Sequence, residues 1–241
     1  MATEIRKTFH HELDEIRDDM VRLASMVTEA LAAATQALLD GDLQTAERLI
    51  AGDDELDHLA LEIDEHCCRV LALQQPMATD LREVIAALRM SSEIERSGDL
   101  VTNMMKAMRR LYGTDLDPRL RGLIEKMSQQ VHRLFRLAID AYVDRNEGLA
   151  AALDDMDDDV DDLHAEYIRT IFEAYTGVSN LQVAVQLALI GRYYERIADH
   201  AVNLGERVRY MCSGWLPEHT GAARLAAKRA AAEHDAVDGP E

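Results

Sequence analysis

The sequence predicts an all-α protein made of two tandem three-helix bundles that are related by an internal repeat. The chain is rich in Ala, Leu, Met, Glu, Arg and Gln, which favour helices, and its four prolines fall between long stretches of these residues. Apolar residues recur three and four positions apart, which is typical of amphipathic helices with one buried face. In addition, patterns of the first half of the chain return in the second half.

Six helices follow from this periodicity and from the breakers between the periodic stretches. The first helix carries an apolar row through Leu13, Met20 and Val27. Turns are expected at Pro76 and at Val178, where the second and third helices of each bundle reverse direction. The predicted spans are 4–40, 43–74, 77–111, 118–144, 146–175 and 179–212.

These helices are expected to form two units, residues 4–111 and 118–212. In each unit three helices run up, down and up, because a single amphipathic hairpin cannot bury its own apolar face. The segment 217–241 is Ala-rich, mixed in charge and poor in large apolar residues, so it is predicted to be disordered.

The repeat is clearest in a polar pattern on the last helix of each unit. The pattern Glu-Arg-x-x-Asp-x-x-x-Asn occupies 95–103 and returns at 195–203, 100 residues later. The segment 40–59 aligns without a gap on 144–163 at an offset of 104, so the first copy has four extra residues near its hairpin turn. Four residues are about one helical turn, and the facing rows of the two helices therefore stay nearly in phase.

Folding each hairpin at its turn places a third carboxylate beside the Glu and Asp of this pattern. Counting back from the turns sets Asp57 level with Glu95 in the first unit and Asp161 level with Glu195 in the second. A Glu and an Asp four positions apart share one helix face. Three carboxylates are therefore expected to meet in each unit.

Carboxylates that meet in this way repel one another unless a cation lies between them. Their oxygens are hard ligands that suit Mg, Ca, Mn or iron ions, and an asparagine extends each row by one turn with a further oxygen. The sequence therefore predicts a metal site in each unit. The predicted ligands are Asp57, Glu95, Asp99 and Asn103 in the first unit and Asp161, Glu195, Asp199 and Asn203 in the second.

A solvated acidic helix face is the simpler interpretation of the same residues. A chain with 45 acidic residues contains many such acid pairs by chance, and Arg96 and Arg196 would neutralise neighbouring acids there. Repetition in register, across hairpins of unequal length, favours the metal sites. In the run DDMDDDVDD at 154–162, by contrast, most of the acids are expected to face water.

Charge and cysteine usage narrow the class of protein. A formal net charge of −19 repels nucleic acid and anionic lipid, so direct nucleic-acid binding is not expected. Cys67, Cys68 and Cys212 fit neither a disulfide framework nor a C-x-x-C metal site, which favours a reducing compartment. The first residues lack the apolar core of a signal peptide, and the stretch 181–191 is too short to span a bilayer. A soluble, cytoplasmic protein is expected.

The duplicated three-helix unit, the segments ERSGD and ERIAD, and the approach LALQQPMATDLREV resemble the PhoU family over about residues 4–212. Members of that family carry an E/D-x-x-x-D motif on the third helix of each repeat. The matching residues here are Glu95 with Asp99 and Glu195 with Asp199. The family often has Ile-Gly inside the motif, whereas this sequence has Ser97-Gly98 and Ile197-Ala198, so the backbone packing at Ala198 is expected to differ.

The resemblance implies a cytoplasmic, usually dimeric regulator that binds multinuclear metal clusters and does not act as an enzyme. Such proteins restrain the phosphate-starvation response by linking a phosphate-specific ABC transporter to a membrane sensor histidine kinase. The resemblance therefore implies contact with the membrane only through these partners. An acidic surface suits partners that have basic cytoplasmic segments.

A carboxylate-bridged, metal-dependent redox enzyme is the alternative from another functional class. Asp161 and His164 match half of the Glu-x-x-His signature of di-iron helical bundles. The first unit has Ala60 at the position of His164, so the histidine is not repeated. This difference favours the regulator.

Overall fold

The computed structural model describes residues 2–177 and 180–215, with side chains from residue 9 onwards, and the predicted all-α class is confirmed for them. Within these ranges the chain forms seven helices and no strand. The helices are α1 Ala2–Asp40, α2 Leu43–Ala51, α3 Asp53–Gln74, α4 Thr79–Arg110, α5 Pro118–Val143, α6 Glu147–Ala174 and α7 Leu181–Ser213. The expected turn at Val178 and the predicted disordered segment 217–241 lie outside the described residues.

The prediction of one helix over 43–74 is wrong, because the chain breaks there at Gly52. The Gly52 amide donates to the Arg48 carbonyl and closes α2. Three acidic residues then form the first turn of α3, where negative charge is favoured by the helix dipole. The equivalent stretch of the second half is one uninterrupted helix, α6.

Polar side chains and glycines set the other helix boundaries. The Asp42 carboxylate accepts hydrogen bonds from the amides of Gln44 and Thr45 and begins α2, and Asn146 in the same way caps α6. Asp117 caps α5, and Pro118 occupies its first turn, where the missing amide hydrogen costs nothing. Each of these caps follows a connection of only a few residues, and α5 and α6 pack on each other across theirs, so the chain reverses direction there.

α4 and α7 lie at the centre of the molecule and make the most extensive contact of any helix pair. α3 packs on α4, and α6 packs on α7, so each half contains the hairpin that carries the predicted acidic residues. α1 and α5 contact each other and close the remaining side. One continuous apolar core runs through both halves and includes Met20, Met104, Met105, Phe135 and Tyr194.

A buried ion pair also joins the two halves. Glu83 of α4 is only 3 % exposed. Its carboxylate accepts hydrogen bonds from Arg17 of α1 at 2.6 Å and from Arg145, between α5 and α6, at 2.5 Å. A buried carboxylate without partners would be strongly destabilising, so these two guanidinium groups make the position of Glu83 possible.

Within each hairpin, small residues allow the two helices to approach closely. A Cβ atom added to Gly98 would lie 2.9 Å from Leu56 Cδ1 of α3, closer than ordinary van der Waals contact. In the second half the equivalent positions hold Ala198 and Val160, both fully buried. The larger residue on one helix is thus matched by a smaller residue on the other, which explains why Ala is tolerated where glycine stands in the first half.

This exchange of volume can be tested with a double-mutant cycle. Gly98→Ala should lower the free energy of unfolding by on the order of 1 kcal/mol, because overpacking outweighs the better helix propensity of Ala. Adding Leu56→Val should recover part of that loss, because it shortens the side chain that the new methyl group meets. Urea unfolding of the two single variants and the double variant, in chelator, measures the coupling. Strictly additive effects would contradict the proposed packing.

Candidate functional site

In the first half, four carboxylates gather where α3 faces α4. Asp53 and Asp57 lie on α3, and Glu95 and Asp99 lie on α4. Burial raises the pKa of Glu95, and the negative charges of Asp99 and Asp57 raise it further, while Arg96 acts in the opposite direction. Burial also raises the pKa of Asp57, together with the charges of Asp53 and Asp99. The four acids therefore share one electrostatic environment.

The second half holds the equivalent carboxylates between α6 and α7. Asp157 and Asp161 lie on α6, and Glu195 and Asp199 lie on α7. Burial, followed by the charges of Asp161 and Asp199, raises the pKa of Asp157 to about 6. Burial is also the main cause that raises the pKa of Asp199, and Arg192 opposes it.

Two carboxylate oxygens of this second cluster are buried and accept no hydrogen bond. They are Oδ1 of Asp157 and Oε2 of Glu195. A buried oxygen without a donor is unfavourable, and it is more so when the group carries charge. These oxygens and their neighbours are hard donors, so the residues fit a hard or borderline metal cation.

Sequence reasoning missed Asp53 and Asp157 as members of the two clusters. Each lies four residues before the aspartate that was predicted, Asp57 or Asp161, and so shares its helix face. The signal was present, because the ungapped repeat at an offset of 104 aligns Asp53 with Asp157. It was obscured by the acidic run 154–162, most of which is exposed as expected, whereas Asp157 is half-buried.

The two clusters differ in their neighbours. Arg192 forms an ion pair with Glu195, whereas the equivalent residue of the first half is Ser92. His164 is half-buried beside the second cluster, and burial followed by the charge of Arg192 lowers its pKa. The second cluster therefore contains a fixed cation and an imidazole that the first cluster lacks.

The amide nitrogen of Asn203 contacts α4. It donates to Glu93 Oε2 at 3.2 Å, and His200 Nδ1 lies 2.5 Å from the same oxygen. These hydrogen bonds, that of His200 first, lower the pKa of Glu93. The counterpart of Glu93 is Tyr193, so this contact between α4 and α7 is not duplicated. Asn103 is half-buried at the equivalent position of α4.

The side chains do not close around a common point. Within residues 9–177 and 180–215, no three His, Cys, Asp or Glu side chains form a group that could hold a metal ion as they stand. Mutual repulsion favours such spreading, and small rotations about side-chain bonds separate carboxylates on neighbouring helices. The metal ligation predicted for Asp57, Glu95, Asp99, Asn103, Asp161, Glu195, Asp199 and Asn203 thus stays a prediction. Among the described helices, none combines the length and the apolar character needed to cross a membrane.

Fold and clusters together define a duplicated, all-α protein with one acidic site in each half. The PhoU domain family matches residues 20–108 and again 124–208, which confirms the predicted repeat. The chain belongs to the PhoU family.

Curated relatives and solved structures agree with this assignment. The phosphate-specific transport system accessory protein PhoU homolog 1 of Mycobacterium tuberculosis is 33% identical over 214 residues, which cover 88% of this chain and 96% of the relative. A PhoU homolog of Caulobacter vibrioides is 31% identical over 217 residues, 89% of this chain and 94% of the relative.

The crystal structure of PhoU from Pseudomonas aeruginosa superposes with a TM-score of 0.81 at 27% identity, over 86% of this chain and 100% of that one. The structure of the phosphate transport system regulatory protein PhoU from Streptococcus pneumoniae gives a TM-score of 0.80 at 26% identity, over 86% and 98% of the two chains. The architecture described above is therefore that of solved PhoU structures.

The charge of Asp157 should have a measurable effect on stability. Its pKa is raised to about 6 in the folded protein, so the folded state holds the proton more tightly than the unfolded chain, and this group loses stabilisation as the pH rises from about 4 to about 6. In chelator at pH 7.5, Asp157→Asn should therefore melt at a higher temperature than the wild type, and the gap should narrow towards pH 4.

Thermal unfolding followed by circular dichroism across pH 4–8 provides the measurement. Asp155→Asn, which removes an exposed acid from the same run, is the matched control and should show little of this pH dependence. If the melting temperatures of Asp157→Asn and the wild type changed with pH in the same way over the whole range, the charged form of Asp157 would not destabilise the folded protein.

Proposed function

We propose that this protein is a metal-binding regulator of phosphate uptake that carries one metal site in each half. One observation supports the proposal most strongly: four carboxylates occur at equivalent positions of both helical hairpins. One such cluster on an acidic chain is expected by chance, but two clusters built from equivalent positions are not. Membership of the PhoU family provides the functional context.

The first site would use Asp53, Asp57, Glu95 and Asp99, and Asn103 is available one turn further along α4. The second would use Asp157, Asp161, Glu195 and Asp199. Asn203 is available one turn further along α7 through its amide oxygen, since it is the amide nitrogen that donates to Glu93. A bound cation would neutralise the repulsion within each cluster and give the buried oxygens of Asp157 and Glu195 a partner.

The ligand atoms of both sites are carboxylate oxygens, and these favour a particular kind of metal ion. Carboxylate oxygens suit magnesium, calcium, manganese and iron ions in the divalent or trivalent state. In the second site Arg192 competes with the metal for Glu195, since both are cations that approach one carboxylate. At the position of Arg192 the first site has Ser92, which carries no charge. We therefore expect the first site to bind divalent ions more tightly.

The regulatory role rests on the relatives, which carry the name of accessory proteins of a phosphate-specific transport system. We extend this role to the present chain, as a cytoplasmic homodimer that restrains the phosphate-starvation response. It would do so by linking a phosphate-specific ABC transporter to a membrane sensor histidine kinase, and it would approach the membrane only through these partners. A net charge of −19 favours encounter with basic cytoplasmic segments and disfavours nucleic acid.

Metal content tests the sites directly. Changing both Glu95 and Asp99 to Ala should lower the bound divalent metal by at least half, because two oxygen ligands of the tighter site are lost. The paired change of Glu47 and Glu65 to Ala removes the same charge from exposed positions outside the clusters and should leave the metal content unchanged. Elemental analysis of untagged protein purified without chelator gives the count. Equal metal content in all three proteins would reject the first site.

A deletion strain tests the regulatory role. Without the protein, phosphate-uptake genes should be expressed even in phosphate-rich medium, and the wild-type gene should restore control. A variant with Glu95, Asp99, Glu195 and Asp199 all changed to Ala should fail to do so, because the partner-facing surfaces of both hairpins would lose their metal. Reporter expression and protein abundance should be measured together, so that a simple loss of folded protein is recognised.

The same purified proteins separate the regulator from the redox enzyme. The regulator should bind the cytoplasmic part of the transporter or of the kinase at physiological salt. If neither partner binds, and metal-loaded protein instead consumes oxygen or peroxide at many turnovers per site, the chain is a metal-dependent enzyme and the regulatory proposal is wrong.

A further inference from the structure

A groove of about 520 Å³ runs between α1 and α5, on elements that do not contribute to the acidic clusters. Its size falls within the range of small-molecule sites in proteins. The walls come from one face of each helix.

The floor of the groove is a fixed network of hydroxyl groups. Thr35 Oγ1 donates to the Leu31 carbonyl at 2.8 Å. It also lies 2.8 Å from Ser128 Oγ and 2.7 Å from Tyr194 Oη, so these two hydroxyls donate to it. All three residues are buried, and they join α1, α5 and α7 beneath the groove. Such a floor is formed in advance, so little ordering is required when a ligand binds.

One end of the groove is cationic in a chain that is strongly acidic overall. Arg133 and Arg136 lie three residues apart on α5, and His132 lies beside them. Both arginines are exposed, and neither forms an ion pair with a residue that the structure describes. Residues three apart on a helix are neighbours, at about 5–6 Å between Cβ atoms, so two positive charges stand together there. Guanidinium groups in this arrangement suit the oxygens of adjacent phosphoryl groups.

The other end of the groove is acidic. Glu125 lies eight residues before Arg133, about 12 Å along the helix axis. A carboxylate can accept hydrogen bonds from the hydroxyls of a ribose, a pairing found in dinucleotide sites. Ala32 and Leu39 add apolar surface to the lining. Two cations at one end, a carboxylate at the other and apolar surface in the same groove suit a ligand with a diphosphate at one end and sugar hydroxyls at the other.

We propose that the groove between α1 and α5 binds a nucleoside diphosphate. Arg133 and Arg136 hold the two phosphoryl groups, and Glu125 accepts from the ribose hydroxyls. Thr35, Ser128 and Tyr194 keep the helices at the spacing that the ligand requires. The site needs no metal from the acidic clusters, so it is independent of the regulatory proposal above.

Isothermal titration calorimetry of the full chain with ADP, in EDTA, tests this site while metal is withheld. Wild-type protein should bind one ADP per chain. Changing Arg133 and Arg136 together to Gln should weaken ADP binding at least tenfold, because charge-assisted hydrogen bonds to phosphate are lost. Changing Arg22 and Arg69 to Gln removes the same charge from exposed positions outside the groove and should leave ADP affinity within twofold of the wild type.

Pyrophosphate separates the two ends of the site. Glu125→Gln should weaken ADP binding at least threefold while leaving pyrophosphate binding unchanged or stronger, because only ADP has hydroxyls for the carboxylate. Circular dichroism confirms that each variant folds. The proposal is overturned if wild-type protein shows no saturable ADP binding, or if the control pair loses as much affinity as the groove pair. It is equally overturned if pyrophosphate binds as tightly as ADP and Glu125→Gln affects neither ligand.

Discussion

Mutual repulsion among carboxylates on two facing helices is the constraint on which this structure depends. In each half, a hairpin brings four acids together. Burial, followed by the charges of neighbouring carboxylates, raises the pKa of Asp57 and Glu95 in the first half and, most clearly, that of Asp157 in the second. Close packing of the two helices holds them there. Gly98 against Leu56 supplies that contact in the first half. Gly191 supplies it in the second, where an added Cβ would lie 2.7 Å from the Tyr167 ring.

The contact between α4 and α7 makes the two acidic sites parts of one body. Both helices carry their acids on the flank that faces α3 or α6, and they pack on each other along another face. Glu93 of α4 joins α7 through hydrogen bonds with His200 and Asn203. Glu83 of α4 forms ion pairs with Arg17 of α1 and with Arg145, just before α6. Neither carboxylate is repeated in the other half. The two halves therefore pack as one body through α4 and α7, although they are not identical.

Apolar periodicity and the internal repeat were sufficient to predict the all-α class and the duplicated unit. They also predicted which part of the facing helix lies opposite Glu95, because all of these depend on the spacing of residues along the chain. The break at Gly52 was missed, since one glycine within a long amphipathic pattern rarely ends a helix. Asp157 was hidden among neighbouring acids that face water. The engagement of Asn203 by Glu93 could not be predicted, because it depends on how α4 and α7 pack across 110 residues of sequence.

The central claim is that each hairpin holds its carboxylates ready for a metal ion. Anomalous X-ray diffraction from crystals grown with manganese tests it most directly. Peaks should appear between α3 and α4 and between α6 and α7, about 2.0–2.6 Å from carboxylate oxygens of Glu95 with Asp99 and of Glu195 with Asp199. Fully loaded crystals with no anomalous density at either hairpin, or with density only at exposed acids elsewhere, would contradict the claim.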